Sequence, residues 1–547
     1  MGICCYKDEV KPAEATNRKS LKEGQSAQPA PNNQTTSPPL NFMSKKDFRA
    51  RVSSNKNSAD GSTNVLPRHN LSALSLKSRW GSGVSKDDIR KVYQFGKKLG
   101  QGYAGTVYLA NYINDKSRLY AIKSVEVTSL TSEAWQSYTQ ELDLVKEIDC
   151  QHIVSFFECY QSEKECHLVL EYCEGGDLVS YVENTDNGVH EELAKKWFWQ
   201  ACVAINYLHR YGIAHRDIKL DNFLLTKKDP WKSDSKLIDF GFAKRVKEGL
   251  TTKLGTPYYV APEVLERNPR YTEECDNWSL GIFLHMLLFA EIPFNGNSNN
   301  AIFDAIATKE INYNDKRFSN VSPYAVDIMK GLLNKNPSKR LTLKEVLASP
   351  WFNTYIKDFD AKYENYLTPD LMKRVRMAPK LNNLQREVTK LMVNIFYDHP
   401  EVQKRKMVFS IIDTERNGVL SIQELSNAFK KVNIEMTEAQ INTLLDSMRL
   451  RSEHVLTVTE FVGASLDPGF YKDKNNLKAA FDRIDVDLSG SISFDNIRSC
   501  FERFGYYLDD KVAKGFLQDF DISADGQIDY WEFEKMMVRD PDTTPKI

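Results

Sequence analysis

The chain has 547 residues, of which 41% are apolar and 27% are charged, a composition typical of folded domains rather than of disordered or membrane-embedded proteins. Residues 1–90 hold 15 Lys and Arg against 8 Asp and Glu, whereas residues 397–547 hold 19 against 27. The longest apolar stretch, residues 280–290, is too short to span a bilayer, and the cysteines form no C-x-x-C pair. We therefore expect no transmembrane helix, no zinc cluster, no disulfide framework and, without basic patches between aromatic residues, no nucleic acid partner.

The N-terminal segment, residues 1–92, is rich in Ser, Asn, Gln, Pro and Lys. Because such a composition buries too little apolar surface to offset the loss of chain entropy, we expect this segment to be disordered. The chain starts without the apolar run of a secretory signal, so we expect a cytoplasmic protein. Gly2 followed by Cys4 and Cys5 is typical of myristate and palmitate attachment at the cytoplasmic face of a membrane. Tyr6 departs from the usual Ser or Thr, and an unmodified terminus is the alternative.

Residues 93–352 have the dense apolar pattern of a folded domain. Short β-branched and aromatic runs at 106–110, 120–125 and 167–172 predict strands, and a longer amphipathic segment at 192–210 predicts a helix. The front of this region is therefore rich in strands and the back is rich in helices.

A G-x-G-x-x-G-x-V string begins just before the first of these strands, as Gly100-Gln-Gly102-Tyr-Ala-Gly105-Thr-Val107. Its glycines allow backbone amides to approach phosphate oxygens, and alone it fits a dinucleotide site as well as a protein kinase. A helix should follow in a dinucleotide site, whereas here a β-like run and then Ala-Ile-Lys123 follow. This context favours a kinase.

Three further motifs follow in the order and spacing of a protein kinase: a His-Arg-Asp-Ile-Lys-Leu-Asp-Asn stretch ending at Asn222, Asp-Phe-Gly beginning at Asp239, and Ala-Pro-Glu ending at Glu263. Residues 93–352 therefore resemble a protein kinase catalytic domain, which implies a two-lobed fold that uses ATP and Mg²⁺. The resemblance implies Asp217, Lys219, Asn222 and Asp239 as catalytic residues, and Leu99, Gly100, Gly102, Gly105, Val107, Lys123, Glu141 and Asp177 as nucleotide-binding residues.

The chemistry of phosphoryl transfer explains the catalytic residue types. Asp217 matches the base that accepts the proton of the substrate hydroxyl, and Lys219 would steady the transferred phosphate. Asn222 and Asp239 supply the kind of oxygen that Mg²⁺ prefers.

Lys123 would hold the α- and β-phosphates when it pairs with a carboxylate on the helix that follows. Glu141 is the candidate for this carboxylate, and Asp143 and Glu147 on the same predicted helix are alternatives. We expect His215 to order the catalytic loop rather than to transfer protons.

The catalytic loop also indicates the substrate. Lys219 resembles the lysine of Ser/Thr-directed kinases, because Tyr-directed members usually place Ala or Arg there. Asp177 and Asp221 fall where basophilic kinases carry acids that meet an Arg upstream of the target hydroxyl. We therefore expect protein substrates with Ser or Thr in a basic context, and the alternative for Asp177 is contact with ribose alone.

An internal repeat fills the C-terminal part, where loops beginning at Asp413, Arg449, Asp485 and Asp521 are 36 residues apart. A calcium loop needs oxygen ligands at positions 1, 3, 5, 7, 9 and 12, with Gly at 6. The fourth loop meets every requirement and the first meets most, although Arg416 adds repulsion. The expected calcium ligands are Asp521, Ser523, Asp525, Gln527, Asp529 and Glu532 in the fourth loop, and Asp413, Glu415, Asn417, Val419 and Glu424 in the first.

The second and third loops depart from this pattern. The second has Arg449, Arg451 and His454 at positions 1, 3 and 6, so we expect a structural unit without calcium. The third ends in Asn496, a neutral amide in place of the bidentate Glu, so we expect a weak calcium site. The remaining ligands of this weak site are Asp485, Asp487, Ser489 and Ser491.

Apart from its variable head, the whole chain resembles a calcium-dependent protein kinase. The resemblance implies a calcium-activated Ser/Thr kinase with ATP, Mg²⁺ and Ca²⁺ as cofactors. The expected fold class is α+β, a two-lobed kinase followed by an all-α pair of EF-hand lobes. The expected segments are 1–92 for the head, 93–352 for the kinase, 353–399 for an autoinhibitory junction, 400–465 for EF-hands 1 and 2, and 466–547 for EF-hands 3 and 4.

Two rival functions fit the sequence less well. A catalytically silent scaffold would be expected to have lost Lys123, Asp217 or Asp239, and none is lost. A calcium buffer with an incidental kinase domain does not fit an array in which two of four loops are damaged.

The junction carries cations beside an apolar face. Such a segment can occupy a basophilic substrate groove or bind an opened EF-hand lobe, so we expect a contact with the EF-hands and autoinhibition at low calcium. The cations are Lys373, Arg374, Arg376, Lys380, Arg386 and Lys390, and the apolar face is formed by Leu381, Leu384, Val388, Leu391 and Ile395.

Thr252 lies three residues before Gly255, where calcium-dependent kinases commonly carry an acid. Arg216 is the cation that such an acid satisfies, so we expect phosphorylation of Thr252 to order the activation segment. Thr251 is the alternative acceptor, and ordering by packing alone is the other alternative.

Overall fold

The structure is a computed structural model of the chain. Gly2, Cys4 and Cys5 lie outside the residues that it describes, as do Arg449 and Arg451 of the second loop. The described residues are 88–102, 105–252, 255–267, 269–381, 383–448, 454–504, 513–515, 517 and 520–538.

A five-stranded antiparallel sheet with strand order β1-β2-β3-β5-β4 forms the small lobe of the first domain. In β3, Tyr120 and Ile122 are buried in one apolar cluster and Val125 in another on the opposite face, while the charged start is exposed. Helix α1 begins after Thr131, whose side chain accepts a hydrogen bond from the Ala134 N–H. The small lobe comprises β1 (Tyr93–Gly102), β2 (Gly105–Tyr112), β3 (Asp115–Glu126), α1 (Ser132–Glu147), β4 (Phe156–Gln161) and β5 (Glu165–Glu171).

Helices form the large lobe, with α3 and α4 at its centre. Helix α4 is buried from Cys275 to Leu288 and is largely apolar over that span, as expected for a helix that has no exposed face. Helix α3 confirms the helix predicted at 192–210, and β2, β3 and β5 confirm the predicted strands. The large lobe comprises α2 (Leu178–Glu183), α3 (Glu191–Arg210), β6 (Ile213–Ala214), β7 (Phe223–Leu225), β8 (Ser235–Leu237), β9 (Lys244–Arg245), α4 (Glu274–Phe289), α5 (Asn299–Thr308), α6 (Pro323–Leu332) and α7 (Leu343–Leu347).

The C-terminal region is helical and contains the four loops of the repeat. Leu420 and Leu456, at the eighth positions of the first two loops, exchange backbone hydrogen bonds of 2.9 and 3.0 Å. The third and fourth loops pair in the same way through β10 and β11. The elements are α8 (Asn353–Tyr363), α9 (Pro369–Met377), α10 (Asn383–Ile395), α11 (Pro400–Ile412), α12 (Ile422–Lys431), α13 (Glu438–Met448), α14 (Val458–Ser465), α15 (Pro468–Tyr471), α16 (Lys474–Ile484), β10 (Ser491–Ile492), α17 (Phe494–Arg503), β11 (Ile528–Asp529) and α18 (Tyr530–Val538).

The junction helices share one apolar core with the EF-hand helices. Leu384, Val388 and Leu391 of α10 are buried in the same cluster as Phe461 of α14 and Phe481 of α16. The predicted apolar face of the junction therefore packs against the EF-hands. Within the described residues, none of the helices has the length and apolar character needed to cross a membrane.

Candidate active site and calcium loops

A buried carboxylate of α4 binds the backbone of the catalytic loop. Asp276 of α4 accepts hydrogen bonds of 2.8 Å from the N–H groups of His215 and Arg216. Burial raises the pKa of Asp276, but hydrogen bonding and charge from His209 and the loop outweigh it and leave the pKa below its usual value. Arg216 has a φ of 66°, a conformation that needs such support in a residue other than glycine.

Asp217 lies at the centre of the site, where three side chains donate to its carboxylate, among them Asn222 Nδ2 at 3.1 Å from Oδ2. Lys219 Nζ is 2.6 Å from Oδ2, and Thr256 Oγ1 donates to Oδ1 at 2.9 Å. Burial raises the pKa of Asp217, but the charge and hydrogen bond of Lys219 outweigh burial and leave the pKa below its usual value. Asp217 is therefore an ionised acceptor at neutral pH.

Asn222 and Asp239 have oxygens that suit a divalent cation. Asn222 Nδ2 donates to the backbone oxygen of Asp217 at 2.8 Å, while its buried Oδ1 has no hydrogen-bond partner among the described residues. Asp239 has a φ of 66°, and its Oδ1 accepts from the Gly241 N–H at 3.1 Å. The orphaned Asn222 oxygen and the Asp239 carboxylate are both of the kind that Mg²⁺ prefers as ligands, so these residues fit the ion.

Lys123 and Glu141 form a buried ion pair between the sheet and α1, with 2.6 Å between Nζ and Oε1. Burial lowers the pKa of Lys123, but the charge and hydrogen bond of Glu141 and the charge of Asp239 together outweigh burial and leave the pKa above its usual value. Of the alternative carboxylates, Asp143 is exposed and Glu147 pairs with Arg245. The structure therefore brings Glu141 to Lys123 and does not bring the other two.

The predicted phosphate loop connects β1 and β2, with Gly100 opposite Val107 and Gly102 opposite Gly105. Gly105 has a φ of 150°, and a Cβ there would lie 2.2 Å from the backbone oxygen of Ser124. Only glycine fits this close approach. Leu99 precedes the loop on β1.

Asp177 and Asp221 are placed differently from each other. Asp177 is buried and caps α2, since its carboxylate accepts from the Ser180 N–H at 2.6 Å. Asp221 lies in the short helix Leu220–Asn222 within the catalytic loop. The cap is a role for Asp177 that the sequence interpretation did not include.

The fourth loop has the conformation of a calcium loop. Gly526 has a φ of 83°, and Asp521 accepts from the N–H groups of Asp525 and Gly526 at 3.1 and 2.7 Å. At the end of the loop, Glu532 Oε1 accepts from the Ser523 N–H at 2.8 Å. Carboxylates at positions 1, 5, 9 and 12 surround a hairpin of this kind, so the donor set fits Ca²⁺. All six predicted ligands of the fourth loop lie within the described residues: Asp521, Ser523, Asp525, Gln527, Asp529 and Glu532.

The first loop has the same backbone but is more deeply buried. Asp413 accepts from the N–H groups of Asn417 and Gly418 at 3.1 and 2.9 Å, and Glu424 Oε1 accepts from the Glu415 N–H at 2.9 Å. Burial and the charge of Glu424 raise the pKa of Asp413 to about 7. The Val419 backbone occupies the seventh position. These oxygens fit Ca²⁺ as well.

In the third loop an amide oxygen caps the exit helix where a carboxylate would bind calcium. Asn496 Oδ1 accepts from the Ser493 N–H at 2.9 Å, and Asp485 accepts from the N–H groups of Ser489 and Gly490 at 3.0 and 2.8 Å. Asp487 also accepts from the Ser489 N–H, at 3.2 Å. Ser491 completes the loop at the seventh position.

The second EF-hand contacts the kinase through the start of α14. Thr459 donates from N–H and from Oγ1 to the Asp149 carboxylate, each at 3.0 Å. Asp149 follows α1, the helix that carries Glu141, and its own N–H donates to the Tyr207 hydroxyl at 3.0 Å. No motif in the sequence indicates this contact.

Thr252 is exposed in the activation segment. Its backbone oxygen accepts from the Tyr271 hydroxyl at 2.7 Å, and Arg216 Nη1 lies 3.5 Å from the same hydroxyl. Arg216 Nε donates to the Phe242 oxygen at 2.7 Å. Thr252 and Arg216 therefore lie close together, linked by Tyr271.

Comparisons with known proteins agree with this architecture. Residues 93–352 match the protein kinase domain family, and residues 403–466 and 474–538 match the EF-hand domain pair. Calcium-dependent protein kinase 9 from Arabidopsis thaliana is 32% identical over 456 residues, which cover 82% of this chain and 82% of that protein. Calcium-dependent protein kinase 19 from Oryza sativa subsp. japonica is 31% identical over 462 residues, which cover 83% of this chain and 84% of that protein. The chain belongs to the calcium-dependent protein kinase family.

The family assignment establishes the class of enzyme. The chain is a calcium-regulated Ser/Thr protein kinase that uses ATP and Mg²⁺ and binds Ca²⁺. The expected fold class is confirmed, because a two-lobed kinase domain precedes an all-α EF-hand region.

Proposed function

We propose that this calcium-dependent kinase transfers the ATP γ-phosphate to Ser or Thr in a basic context, and that its junction inhibits it at low calcium. The observation that carries the catalytic part is the polar cluster around Asp217, where a lysine, a threonine and Asn222 converge on one carboxylate. The preference for a basic context rests on the carboxylates of Asp177 and Asp221, and the inhibition rests on the exposed cations of the junction.

Each catalytic residue has a role that its contacts support. Asp217 accepts the proton of the substrate hydroxyl, and Lys219 beside it stabilises the charge of the transferred group. The Asn222 Oδ1 atom and the Asp239 carboxylate would hold Mg²⁺, which neutralises phosphate charge when bound. Lys123, oriented by Glu141, binds the α- and β-phosphates.

The glycine loop has a separate task, which is to bring backbone N–H groups to the nucleotide phosphates. Gly100, Gly102 and Gly105 make this approach, and Leu99 and Val107 cover the base. Asp177 binds the ribose or an arginine of the substrate, and Asp221 adds negative charge for that arginine.

The basic junction is the proposed inhibitor. Lys373, Arg376 and Lys380 are exposed while the apolar face of the junction is buried against the EF-hands. When calcium leaves the EF-hands, the same cations can enter the acidic substrate groove, as a pseudosubstrate does. Residues 353–399 would therefore alternate between the two sites.

The EF-hand loops differ in their proposed calcium affinity. The fourth loop binds most tightly and the first binds with the help of its buried carboxylates, whereas the third is weak because Asn496 replaces a bidentate Glu. The second is structural, since Arg449 and Arg451 replace the oxygen ligands at positions 1 and 3, although Glu460 keeps position 12 and accepts from the Thr457 N–H at 2.9 Å.

A membrane surface is the last proposed partner. Acylation of Gly2 with Cys4 or Cys5 would give the two anchors that stable attachment to a cytoplasmic membrane face requires. Metabolic labelling with a myristate analogue tests it, with Gly2→Ala as the control.

One experiment tests the main proposal. Phosphate transfer to a Ser peptide with an Arg three residues upstream is measured with calcium and with a chelator, and against the same peptide with that Arg replaced by Ala. We expect transfer that needs both calcium and the Arg. Calcium-dependent transfer without an Arg preference contradicts the substrate proposal alone, whereas equal transfer in chelator contradicts the proposed inhibition.

A further inference from the structure

The first calcium loop packs against helix α3 of the kinase large lobe, whereas the third and fourth loops are open. A Cβ added at Gly418 would lie 2.8 Å from the Tyr207 ring, whereas one added at Gly490 or Gly526 would meet no atom within 4 Å. Val419, the next residue, is fully buried in the same apolar core as α3. The kinase therefore lies against the first loop at its sixth position, where the third and fourth loops have open space.

Arg416 makes the polar part of this contact. Asn206 Nδ2 donates to the Arg416 backbone oxygen at 3.0 Å, and the guanidinium lies 5.5 Å from the centre of the Trp199 ring. Arg416 Nη1 donates to the Ser410 backbone oxygen, and Nη2 lies 3.9 Å from Asp360 Oδ1. The sequence indicates only that Arg416 repels calcium. In the structure its side chain also contacts Trp199 of the kinase, the Ser410 backbone of α11 and Asp360 of the junction.

Packing on the kinase leaves the loop in the conformation that calcium needs. The two hydrogen bonds that Asp413 accepts from the loop backbone match those that Asp521 accepts in the fourth loop. The contact with Asn206 fixes the backbone at residue 416, which lies between the third and fifth ligand positions. Fixing a binding loop in its bound conformation raises affinity, because less entropy is lost on binding.

We propose that Asn206 is a positioning residue for the first calcium site, and that this loop binds calcium more tightly when it is packed on α3 than when it is released. The contact fixes the loop backbone and holds the Arg416 guanidinium at Trp199 and Asp360. The proposal rests on the proposed binding of calcium by the first loop. By linkage, calcium in this loop favours its packing on the kinase by the same factor.

The test measures calcium binding by the full-length chain with isothermal titration calorimetry. Asn206→Ala is made in a Glu532→Gln background, in which the last loop is weakened and the first loop dominates the titration. We expect the calcium affinity of the first loop to fall about threefold to tenfold, the equivalent of one lost hydrogen bond. An affinity within twofold of the parent overturns the proposal.

The matched control is Asn206→Ala in a Glu424→Gln background, where the last loop dominates. We expect no change beyond about twofold, because the fourth loop does not contact α3. A general loss of stability would weaken both loops, so equal effects in the two backgrounds overturn the positioning role. If Glu424→Gln alone removes no bound calcium, the first loop is not a calcium site. The proposed calcium binding by this loop then fails, and so does its proposed coupling to packing on α3.

A second pair of variants reports on the same contact without touching Asn206. Gly418 and Gly526 have φ values of 75° and 83°, so alanine is strained to a similar degree at either position. Only the methyl group at residue 418 meets the Tyr207 ring. We expect Gly418→Ala to weaken the first loop about threefold more than Gly526→Ala weakens the last loop. Equal losses overturn the proposal.

Discussion

Arg483 Nη2 lies 2.7 Å from Glu158 Oε1, which joins helix α16 of the third EF-hand to strand β4 of the kinase small lobe. The Glu158 side chain is fully buried, and the hydroxyl groups of Tyr93 and Tyr160 donate to its Oε2 at 3.0 and 2.6 Å. The Arg483 guanidinium also lies 4.2 Å from the centre of the Tyr112 ring. A helix whose own calcium loop is damaged therefore holds the EF-hand region on the small lobe.

The first prediction is that Arg483→Met releases this contact. Removing one partner leaves Glu158 buried without its counter-charge, which costs about 3–5 kcal/mol. We expect docking of the EF-hand region on the small lobe to weaken by this amount. Limited proteolysis between the two domains measures the change. Arg498→Met is the control, because the Arg498 side chain is half-exposed and pairs with Glu502 of its own helix, α17. Equal proteolysis of the two variants would contradict the prediction.

The second prediction concerns Asp217→Asn. The amide cannot accept the hydroxyl proton, so we expect phosphoryl transfer to fall about 10²- to 10⁴-fold. Nucleotide affinity should stay within about twofold, because Lys123 and Glu141 are not changed. Steady-state kinetics and equilibrium nucleotide binding measure the two quantities. Asp143→Asn on the exposed face of α1 is the control, and turnover by Asp217→Asn equal to that control would remove the assignment.

The third prediction concerns the exposed cations of the junction. Replacing Lys373, Arg376 and Lys380 by Ala should leave the packing on the EF-hands intact and weaken entry into the substrate groove. We expect the rate without calcium to rise about fivefold or more, with the calcium-saturated rate unchanged. Lys357→Ala with Lys362→Ala, which removes exposed charges of α8, is the control. A low-calcium rate that stays at the control level argues against inhibition by these cations.

The fourth prediction compares the last positions of two loops. Glu532→Gln removes the charge of the bidentate ligand, so we expect the calcium midpoint of activation to rise about tenfold. Glu460→Gln should change the midpoint by less than about twofold, because Gln keeps the oxygen that caps α14. Kinase assays across a calcium series measure both midpoints, and similar shifts in the two variants would rule out the ligand assignment.

The pairing of Lys123 with Glu141 could be predicted from the sequence, because the order and spacing of the motifs carry this geometry with them. The two side chains meet as the motif order indicates. The packing between domains could not be predicted in this way. Thr459 and Asp149 are 310 residues apart, and ordinary surface residue types occupy both positions. Only the fold shows that they meet.

Arg416 shows the same limit at a single side chain. Loop chemistry treats a cation beside calcium ligands as repulsive, and that reasoning is sound for an isolated EF-hand. In the structure a tryptophan of another domain lies beside the guanidinium, so its effect depends on a contact outside the motif. Asp177 is a similar case, because the backbone of α2 uses its carboxylate as a cap.

The last prediction concerns Thr252, whose exposed hydroxyl is accessible to a kinase and whose backbone oxygen binds the Tyr271 hydroxyl. Arg216 donates to Phe242 and lies near Tyr271, and none of the ion pairs within the described residues involves it. A phosphate on Thr252 brings about −1.5 to −2 charges to this cation and orders the activation segment.

We expect partial activity from calcium alone and full activity after phosphorylation of Thr252. Mass spectrometry of the active enzyme locates the phosphate, and kinetics of Thr252→Ala measure its effect. Thr251→Ala is the matched control, since it removes the neighbouring exposed hydroxyl and leaves the bond to Tyr271 in place. Full activity of Thr252→Ala would show that the segment orders through packing alone, whereas a loss confined to Thr251→Ala would move the phosphate to that residue. The prediction is supported if activity is lost only in Thr252→Ala and the phosphate is found on the Thr252 peptide. The alanine removes the one phosphate that would reach the Arg216 guanidinium, so the loss then assigns the ordering of the activation segment to that contact.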